Sequence, residues 1–465
     1  MAAIGALLAI SALSGPAGAS PTSLGDAVRS YTLSYSARAS ASATSSDPIP
    51  SFTRQTNLAC NVCHTSFPQL TAFGRRFKLN GYTLTGLQVV TAGGQENPSL
   101  KINLIPPVSA MAEVSVTQLK TTLPGTQNGD AEFPQQLSLF VGEEITPKMG
   151  TFVQLTYDGA SGSVGIDNAD IRYASHASLG SKDLLYGFTL NNNPGVQDVW
   201  NTMPAWSFPY ASSGLAPTPA AATLLDEALG QQVAGLGAYA LFDGLLYGEL
   251  SVYRSAQQGG AHPPDSTSES VVRGVAPYWR AALLHDWSRR SLELGTFGIS
   301  AALFPSGVVG TWNRFTDLGF DVQYEQTVGR GSLTLHGSWI HERQSLDAAF
   351  AAGEAANSFN TLDAVRVNGV YYTPGRVGGS LGYFSTTGTT DAALYAPSPI
   401  TGSATGSPNS NGLVGELTFM PWLNTRFGVQ YVAYTKFNGS RLGYDGSGRS
   451  ASDNNTLYLY TWLAF

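Results

Sequence analysis

Apolar and polar residues alternate along most of the chain after residue 98. In the stretch TDLGFDVQYEQ, residues 316–326, apolar side chains occupy every second position, and charged or amide side chains occupy most of the positions between them. Because successive side chains of a β-strand point to opposite faces, the stretch predicts a strand with one apolar and one polar face. The stretch RFGVQYVAYTKF, residues 426–437, repeats this pattern. Strands of about ten residues with an apolar outer face and a polar inner face are typical of transmembrane barrels.

The pattern divides into about sixteen strands, an even number that suits a single-chain bacterial barrel. Their expected starts lie near residues 108, 135, 150, 164, 182, 235, 246, 276, 290, 316, 331, 361, 375, 411, 424 and 456. Short connections, such as ITPKM and TPGR, alternate with longer ones rich in Gly, Ser, Asn and Asp. Short periplasmic turns and long outer loops are the outer-membrane arrangement. The sequence therefore predicts an all-β fold, a porin-like transmembrane barrel, rather than a soluble all-β repeat protein.

Both ends of the chain fit an exported outer-membrane protein. The chain ends in LYLYTWLAF, an aromatic-rich strand that is similar to the C-terminal assembly signal of outer-membrane barrels. Residues 1–19 are apolar and then small, ending in Ala-Gly-Ala, so we interpret them as a signal peptide with a cleavage site; a buried N-terminal helix is the alternative. Beyond these residues no apolar run approaches the ~18 residues of a spanning helix, so we expect strands to cross the membrane.

Composition divides the rest of the chain into three segments, and the net charge disfavours nucleic-acid binding. Residues 20–50 are rich in Ser, Ala and Thr and predict a linker. Residues 51–98 form a small unit around both cysteines, and residues 99–465 form the barrel. The net charge of −7 disfavours nucleic acid as a partner, since phosphate binding needs clustered Lys and Arg. We therefore expect a mildly acidic protein in contact with outer-membrane lipid.

Both cysteines lie within the stretch LACNVCHTSF, with His64 directly after the second. The order Cys60-x-x-Cys63-His64 is the c-type haem attachment motif, in which two thiols form thioethers to the porphyrin and the histidine binds the iron. A four-cysteine zinc site is excluded, and a thioredoxin-like redox pair would need a βαβ setting that the pattern does not indicate. A disulfide would close a loop too short to add much stability. We therefore predict one covalent haem c with His64 as the proximal ligand.

The residues after the motif predict a short helix with one apolar face. The apolar residues at nearly helical spacing are Phe67, Leu70, Phe73 and Phe77. This face could pack against haem, as we expect for Phe67, or form an ordinary core. The neighbouring cations could neutralise haem propionates or form a solvated face; Arg75 is the first of them, followed by Arg76 and Lys78.

The sixth iron ligand must come from outside this unit, which contains no methionine and no second histidine. A unit of about fifty residues is too small to enclose a haem, so the barrel must complete the pocket or the sixth position stays open. In the first strand, the parity that turns Val108 toward lipid turns Met111 into the lumen, where it is a possible distal ligand. His336, lumenal by the same parity, and Met203, in the long loop after the fifth strand, are weaker alternatives. Any of the three could simply line the lumen.

Two stretches give the chain a resemblance to a known family: CNVCHTSFPQLTAFGRRFKLNGY at residues 60–82 and NNNPGVQDVWNTMPAWSFPY at residues 191–210. Together with the barrel, they resemble the fused monohaem cytochrome–porin iron oxidases of the outer membrane of iron-oxidising bacteria. The resemblance implies oxidation of extracellular Fe(II) and transfer of the electron to a periplasmic cytochrome or other carrier. It also implies that Cys60 and Cys63 hold the haem and that His64 binds its iron.

The residues support this function without defining the substrate. One haem cannot bridge a hydrocarbon layer of about 30 Å, so we expect the haem unit to sit in or under the barrel as a plug. Lumenal carboxylates could draw in a divalent cation, since hard metals prefer oxygen ligands, or could be an ordinary polar wall. They are Glu113, Asp170, Asp317 and Asp321. Two other functions stay open: a porin whose haem unit is a gate or plug, and a conduit that carries electrons outward.

Overall fold

The structure, a computed structural model, describes residues 51–56, 58–84, 107–124, 126, 128–256, 270–305, 309–374 and 376–465. The predicted signal peptide, the predicted linker and the expected boundary between haem unit and barrel at residue 98 lie outside these residues. The described chain is a closed antiparallel barrel of sixteen long strands, with a small, partly helical unit at one mouth. The predicted all-β barrel and its strand number are confirmed.

The small unit, here called the plug, is described over residues 51–56 and 58–84. Its elements are α1 (Ser51–Thr56), α2 (Cys60–Cys63), β1 (His64–Ser66), β2 (Gln69–Leu70) and α3 (Ala72–Leu79). The prediction of one helix over residues 67–77 is wrong at its start, because β1 and β2 form a hairpin there. Pro68 has no N–H and disfavours helical backbone in the residue before it. The Thr71 hydroxyl then caps α3 by accepting a hydrogen bond from Gly74 N (3.1 Å).

The long strands follow the stretches of alternating residues and begin within a few residues of the predicted starts. They are β3 (Val108–Leu119), β4 (Ala131–Thr146), β5 (Met149–Asp158), β6 (Ser163–Leu179), β7 (Lys182–Asn191), β8 (Val233–Phe242), β9 (Leu246–Ser255), β11 (Ala276–Trp287), β12 (Arg290–Pro305), β13 (Asn313–Val328), β14 (Gly331–Ser345), β15 (Phe359–Tyr372), β16 (Val377–Gly388), β17 (Ser410–Trp422), β18 (Thr425–Lys436) and β19 (Thr456–Ala464). A short strand, β10 (Ser270–Val272), pairs with β12, and one loop carries α4 (Asp347–Ala352).

The barrel closes between its first and last strands. β19 pairs with β3 in antiparallel register, with Tyr460 opposite Ser115. The ladder passes from β9 directly to β11, so the short β10 does not interrupt it. Closure leaves no long strand with an unpaired edge inside the membrane, where unpaired backbone groups would be costly.

The two faces of the strands differ as the sequence predicts. On β13, Leu318 and Phe320 point outward with 41% and 50% of their surfaces exposed, whereas Asp317 and Asp321 point into the lumen with 2% and 5% exposed. An outer apolar face and a polar interior are what a lipid bilayer requires of a barrel. Among the described residues, no helix is both long and apolar enough to span a membrane.

Seven short connections lie at one end of the barrel, whereas the connections at the other end are longer except for the four residues 159–162. The seven are the turns 147–148, 180–181, 243–245, 288–289, 329–330, 373–376 and 423–424. Short turns mark the periplasmic end of outer-membrane barrels, so we assign this end to the periplasm. The plug lies at the same end, where Arg426 Nη1 donates to the carbonyl oxygen of Phe67 (3.0 Å) and Gln69 Nε2 donates to the Thr334 hydroxyl (2.6 Å). The plug thus occupies the periplasmic mouth.

The connection between β7 and β8, residues 192–232, folds into the lumen and is here called the inward loop. It contacts the barrel wall on several sides. Gln430 Nε2 and Gln135 Nε2 donate to the carbonyl oxygens of Ala211 and Ser212 (2.9 Å each), and Leu225 N donates to Asp317 (2.9 Å). Together, the plug and the inward loop form two layers inside the barrel.

Candidate functional site

A cavity of about 530 Å³ lies between the plug, the inward loop and the barrel wall. The plug contributes residues from α1 to α3, the loop contributes residues between 198 and 211, and the wall contributes residues of β3–β6 and β19. Cys60, Cys63 and His64 all line this cavity. The CNVCH motif therefore faces a space whose walls come from three separate parts of the chain.

Local packing fixes the motif on this wall. Cys60–Cys63 form the single turn α2, and its last carbonyl, of Cys63, accepts a hydrogen bond from Thr71 N (2.9 Å). The Thr71 hydroxyl donates to the carbonyl oxygen of Val62 (2.6 Å). Helix α3 then crosses α2 at Gly74, where a Cβ atom would lie 2.1 Å from the Cys63 oxygen. Only glycine permits this close approach, which explains why the FGRRF stretch carries a glycine inside a helix.

The His64 ring presents a neutral imidazole to the site. One side of the ring faces the cavity, and its Nδ1 atom is buried without a hydrogen bond of normal geometry. Burial lowers the pKa of His64 to about 4, although the backbone carbonyls of Pro68 and Gln69 oppose that shift. The Phe67 ring lies beside it, with the two centroids 4.3 Å apart. A neutral imidazole is the form that binds iron.

The two thiols are unpaired and protonated. Burial raises the pKa of Cys60, and burial together with the neighbouring Cys60 raises the pKa of Cys63 to about 12. Nucleophilic thiols have lowered pKa values because the thiolate is the reactive form, and burial shifts both of these thiols in the opposite direction. The Thr53 hydroxyl is a polar neighbour of Cys60, with its oxygen 3.8 Å from the Cys60 sulfur.

Aromatic rings form much of the cavity wall. The four apolar residues of the predicted helix face, Phe67, Leu70, Phe73 and Phe77, all line it, although Phe67 and Leu70 belong to the hairpin rather than to the helix. The inward loop adds Trp206 and Tyr210 from the opposite side, and β19 adds Trp462. Such walls exclude water and match a flat apolar ligand.

The structure separates the three cations of the predicted propionate-binding group. Arg75 forms a two-pronged ion pair with Glu325 (2.9 and 2.6 Å) and does not line the cavity. Arg76 reaches the periplasmic turn at Gly244. Lys78 does line the cavity, and its Nζ donates to the carbonyl oxygens of Val196 (2.6 Å) and Asp198 (3.0 Å). Burial, reinforced by nearby Arg172, lowers the pKa of Lys78 to about 7.

Of the three proposed distal ligands, the structure brings only Met111 to the cavity among the described residues. Met111 is buried in the lumen and lines the wall close to the plug. His336 is lumenal as predicted, but its Nδ1 contacts Asn368 (3.1 Å) and it does not line the cavity. Met203 folds inward with the loop and is fully buried in an apolar cluster with Leu224 and Leu225.

The four predicted lumenal carboxylates all face the interior; Asp170, Asp317 and Asp321 bind the inner layers to the wall, and Glu113 bridges two wall strands. Asp170 accepts hydrogen bonds from Arg172 (2.7 Å), the plug's Tyr82 (2.7 Å) and Thr189 (2.8 Å). Asp317 accepts from the backbone of the inward loop, as described above. Asp321 accepts from Thr202 of the loop, and Glu113 accepts from Tyr458. Their lumenal position is confirmed.

Sequence reasoning missed the residue that organises the inward loop. Asp198 accepts hydrogen bonds from the backbone N–H groups of Trp200 (3.0 Å), Thr202 (2.9 Å) and Met203 (3.1 Å). Arg280 on β11 lies 3.7 Å from the Asp198 carboxylate and 4.7 Å from the centre of the Trp200 ring. Asp198 lies within residues 191–210, the second stretch of the resemblance, and that position was the only sequence signal for its importance. Its partner Arg280 is remote in sequence and could not be inferred.

The fold and the site together define a porin-like outer-membrane β-barrel with a plug at its periplasmic mouth. No family model matches the chain, and no curated protein matches it. Among solved structures, the chain is similar to OmpF of Salmonella typhi, in complex with daunomycin, at 14% identity, covering 80% of this chain and 99% of that one with a TM-score of 0.48. It is also similar to the outer membrane channel DcaP of Acinetobacter baumannii (14%, 80% and 100%, TM-score 0.44) and to an anion-selective porin from Comamonas acidovorans (10%, 77% and 98%, TM-score 0.43).

Proposed function

We propose that this chain is an outer-membrane cytochrome–porin, an Fe(II) oxidase of the iron:cytochrome c oxidoreductase type. Extracellular Fe(II) is the electron donor, and a periplasmic cytochrome or other carrier is the acceptor. A haem c, when bound, supplies a one-electron redox centre between the two. The observation that carries the proposal is that the CNVCH motif and residues 198–211 line one cavity, so the two stretches of the resemblance meet at one site.

The residues around the cavity fit a haem c. Cys60 and Cys63 are both unpaired and both line the cavity, so they can supply the two thioether sulfurs. His64 supplies a neutral ring next to them. The cavity volume of about 530 Å³ lies within the range of roughly 300–1,000 Å³ typical of cofactor sites.

The remaining residues of the site exclude water from the cavity and provide a basic side chain on its wall. The plug and the inward loop cover the cavity with aromatic rings, and a dry surrounding raises the potential of a redox centre that gains positive charge on oxidation. Lys78 is the amine side chain on the cavity wall, and a propionate beside it would favour its charged form; Arg75 is paired with Glu325 and does not line the cavity. Met111 is the wall residue with a donor atom suited to the sixth iron position.

The first test of this function is anaerobic addition of Fe(II) to the oxidised, haem-loaded full chain in detergent. We expect the haem absorption to change to that of the ferrous form. Zn(II) serves as the control cation and should leave the spectrum unchanged, whereas dithionite should reduce the site completely. Reduction by dithionite but not by Fe(II) would favour a porin with a structural plug. Reduction only from the periplasmic face of chain reconstituted in one orientation would favour an outward conduit.

The second test concerns the distal ligand. Met111→Leu keeps the volume of the side chain but removes the sulfur, so we expect loss of the low-spin haem spectrum and a lower midpoint potential, since methionine ligation raises it. Met203→Leu is the matched control, because Met203 is buried in an apolar cluster away from the cavity. An absorption spectrum and a redox titration measure both effects. Identical spectra for Met111→Leu and the parent chain would remove Met111 from the site.

A further inference from the structure

The wall formed by β4, β5 and β6 carries accessible polar side chains inside the lumen. Gln136, Gln154 and Asn168 line the cavity, and each of them is half-buried. Elsewhere on the wall, lumenal polar side chains are buried: Asp321 on β13 and Glu416 on β17 have 5% and 3% of their surfaces exposed. The wall of β4–β6 is therefore a part of the lumen with space beside its polar side chains.

This wall brings the edge of the cavity close to the extracellular loops. Gln136 lies opposite Asp158 in the β4–β5 register, and Asp158 is the last residue of β5 and is exposed. Asp167 is half-buried and accepts a hydrogen bond from Gln154 Nε2 (3.2 Å), while Asn168 Nδ2 donates to Gln154 Oε1 (3.3 Å). Carboxylates therefore lie next to the amides of the cavity wall, and we call these five residues the polar row.

The inward loop is attached to this wall on both sides of β5. On one side, the hydroxyl of Ser213 in the loop is hydrogen-bonded to the hydroxyl of Thr117 on β3 (2.6 Å). On the other side, Gln231 Nε2 at the end of the loop donates to Asp167 on β6 (3.1 Å). The part of the polar row that belongs to β5 lies between these two attachments.

The surroundings of the polar row are negative and include an unpaired acceptor. β3, β4 and β5 contain no Lys or Arg, and Arg172 of β6 is paired with Asp170 (2.7 Å). Asn193 of the inward loop donates from Nδ2 to Asn168 Oδ1 (3.5 Å). Its own Oδ1 has no hydrogen-bond partner among the described residues, although only 6% of Asn193 is exposed. Hard cations prefer carboxylate and carbonyl oxygens, so these surroundings fit a small cation better than an anion.

We propose that the polar row is the passage by which small hydrated cations reach the edge of the cavity from the extracellular side. This inference goes beyond the proposed function, because a porin with a structural plug would admit cations along the same wall. A cleft lined by charges of one sign concentrates the opposite ion and raises its rate of arrival, by about 10-fold to 1,000-fold at low salt. The passage therefore selects for positive charge before any redox step.

The test measures thiol labelling of the haem-loaded full chain, reconstituted in vesicles in one orientation. A cationic reagent, trimethylammonium-ethyl methanethiosulfonate, and an anionic one, sulfonatoethyl methanethiosulfonate, are added separately on the side of the long loops. At low ionic strength, we expect Asn168→Cys to react about 10-fold faster with the cationic reagent. Gln344→Cys is the buried control, on β14 across the barrel from β5 and only 4% exposed. It should react no faster than the parent chain, which gives the background from Cys60 and Cys63.

Neutral substitutions then test the charge of the row. With Asp158→Asn/Asp167→Asn added to Asn168→Cys, the ratio of cationic to anionic labelling rates should fall about fivefold or more. The matched control adds Asp347→Asn/Glu354→Asn, which neutralises two exposed carboxylates in the loop that follows β14, across the barrel. This control should change the ratio less than about twofold. A change in the acidity of the introduced thiol affects both reagents alike and cancels in the ratio.

Three results would overturn the proposal. Asn168→Cys could react only from the periplasmic side, the two reagents could react equally fast, or the two pairs of neutral substitutions could lower the ratio equally. Heat-modifiable migration shows whether each variant has assembled, and Gln154→Cys provides a second position in the row if Asn168→Cys does not assemble. None of these measurements involves Fe(II). A failure of the proposed iron oxidation therefore appears only in the Fe(II) assay, and a failure of the passage only here.

Discussion

Replacing both cysteines, in Cys60→Ser/Cys63→Ser, is expected to abolish covalently bound haem completely. Thioether bonds survive denaturation, so a c-type haem stays on the chain in a denaturing gel, whereas a haem held only by an iron ligand is released. These are the only two cysteines of the chain, so no other thiol can substitute for them. Haem staining of a denaturing gel, after expression with the c-type maturation machinery, measures the effect.

The barrel should still assemble in this double variant. The Cys60 thiol has one weak polar contact in the structure, the 3.8 Å approach of the Thr53 hydroxyl, and neither cysteine is fully buried. Heat-modifiable migration of the unstained band checks assembly. Thr53→Val is the matched control, because it removes the same contact and should retain haem. Haem that stays on the denatured double variant, or a parent chain without any haem, would contradict covalent attachment at CNVCH.

The barrel was predictable because its determinants are local. Alternation places Leu318 and Asp317 on opposite faces without knowledge of any neighbour, and a bilayer imposes the same pattern on every strand. Short turns and long loops are likewise visible along the chain. Strand starts and lumenal parity therefore agree between sequence and structure.

The site was predictable only in part because its walls depend on contacts between remote residues. The CNVCH motif specifies a chemistry within five residues, but the pairing of Arg75 with Glu325 on β13 cannot be read from spacing. The hairpin at residues 64–70 replaced a helix because Pro68 outweighs the apolar spacing around it. Strand parity alone predicts that Met111 faces the lumen. That Lys78 lines the cavity and Arg75 does not follows only from the packing of the plug against the barrel, which the sequence does not show.

Replacing Arg280 is expected to have the largest structural effect inside the barrel. Its guanidinium lies among three buried carboxylates, those of Asp198, Glu293 and Asp321. Arg280→Met keeps an unbranched side chain but removes the cation, and breaking a buried ion pair in this way costs about 3–5 kcal/mol. Because Asp198 organises the inward loop, we expect the loop to detach from the wall rather than the whole barrel to unfold.

Detachment has two measurable consequences. Limited proteolysis of the chain in nanodiscs should produce new cleavage within residues 192–232, and planar-bilayer recordings should show a larger conductance as the inner layer loosens. Lys182→Met is the control, because it breaks the exposed ion pair with Asp243, which is worth about 0–1 kcal/mol. That variant should match the parent chain in both measurements.

A second substitution separates the lost cation from a simple packing defect. Asp321→Asn in the Arg280→Met background removes one uncompensated buried charge. The double variant should therefore be less sensitive to protease than Arg280→Met alone. If the defect in Arg280→Met were a cavity or a steric clash, Asp321→Asn would not relieve it, because asparagine has nearly the same size as aspartate. If Arg280→Met resists proteolysis as well as the parent chain, then the loop is held by its other wall contacts, such as those of Gln430 and Gln135. The roof of the cavity would then be independent of the arginine.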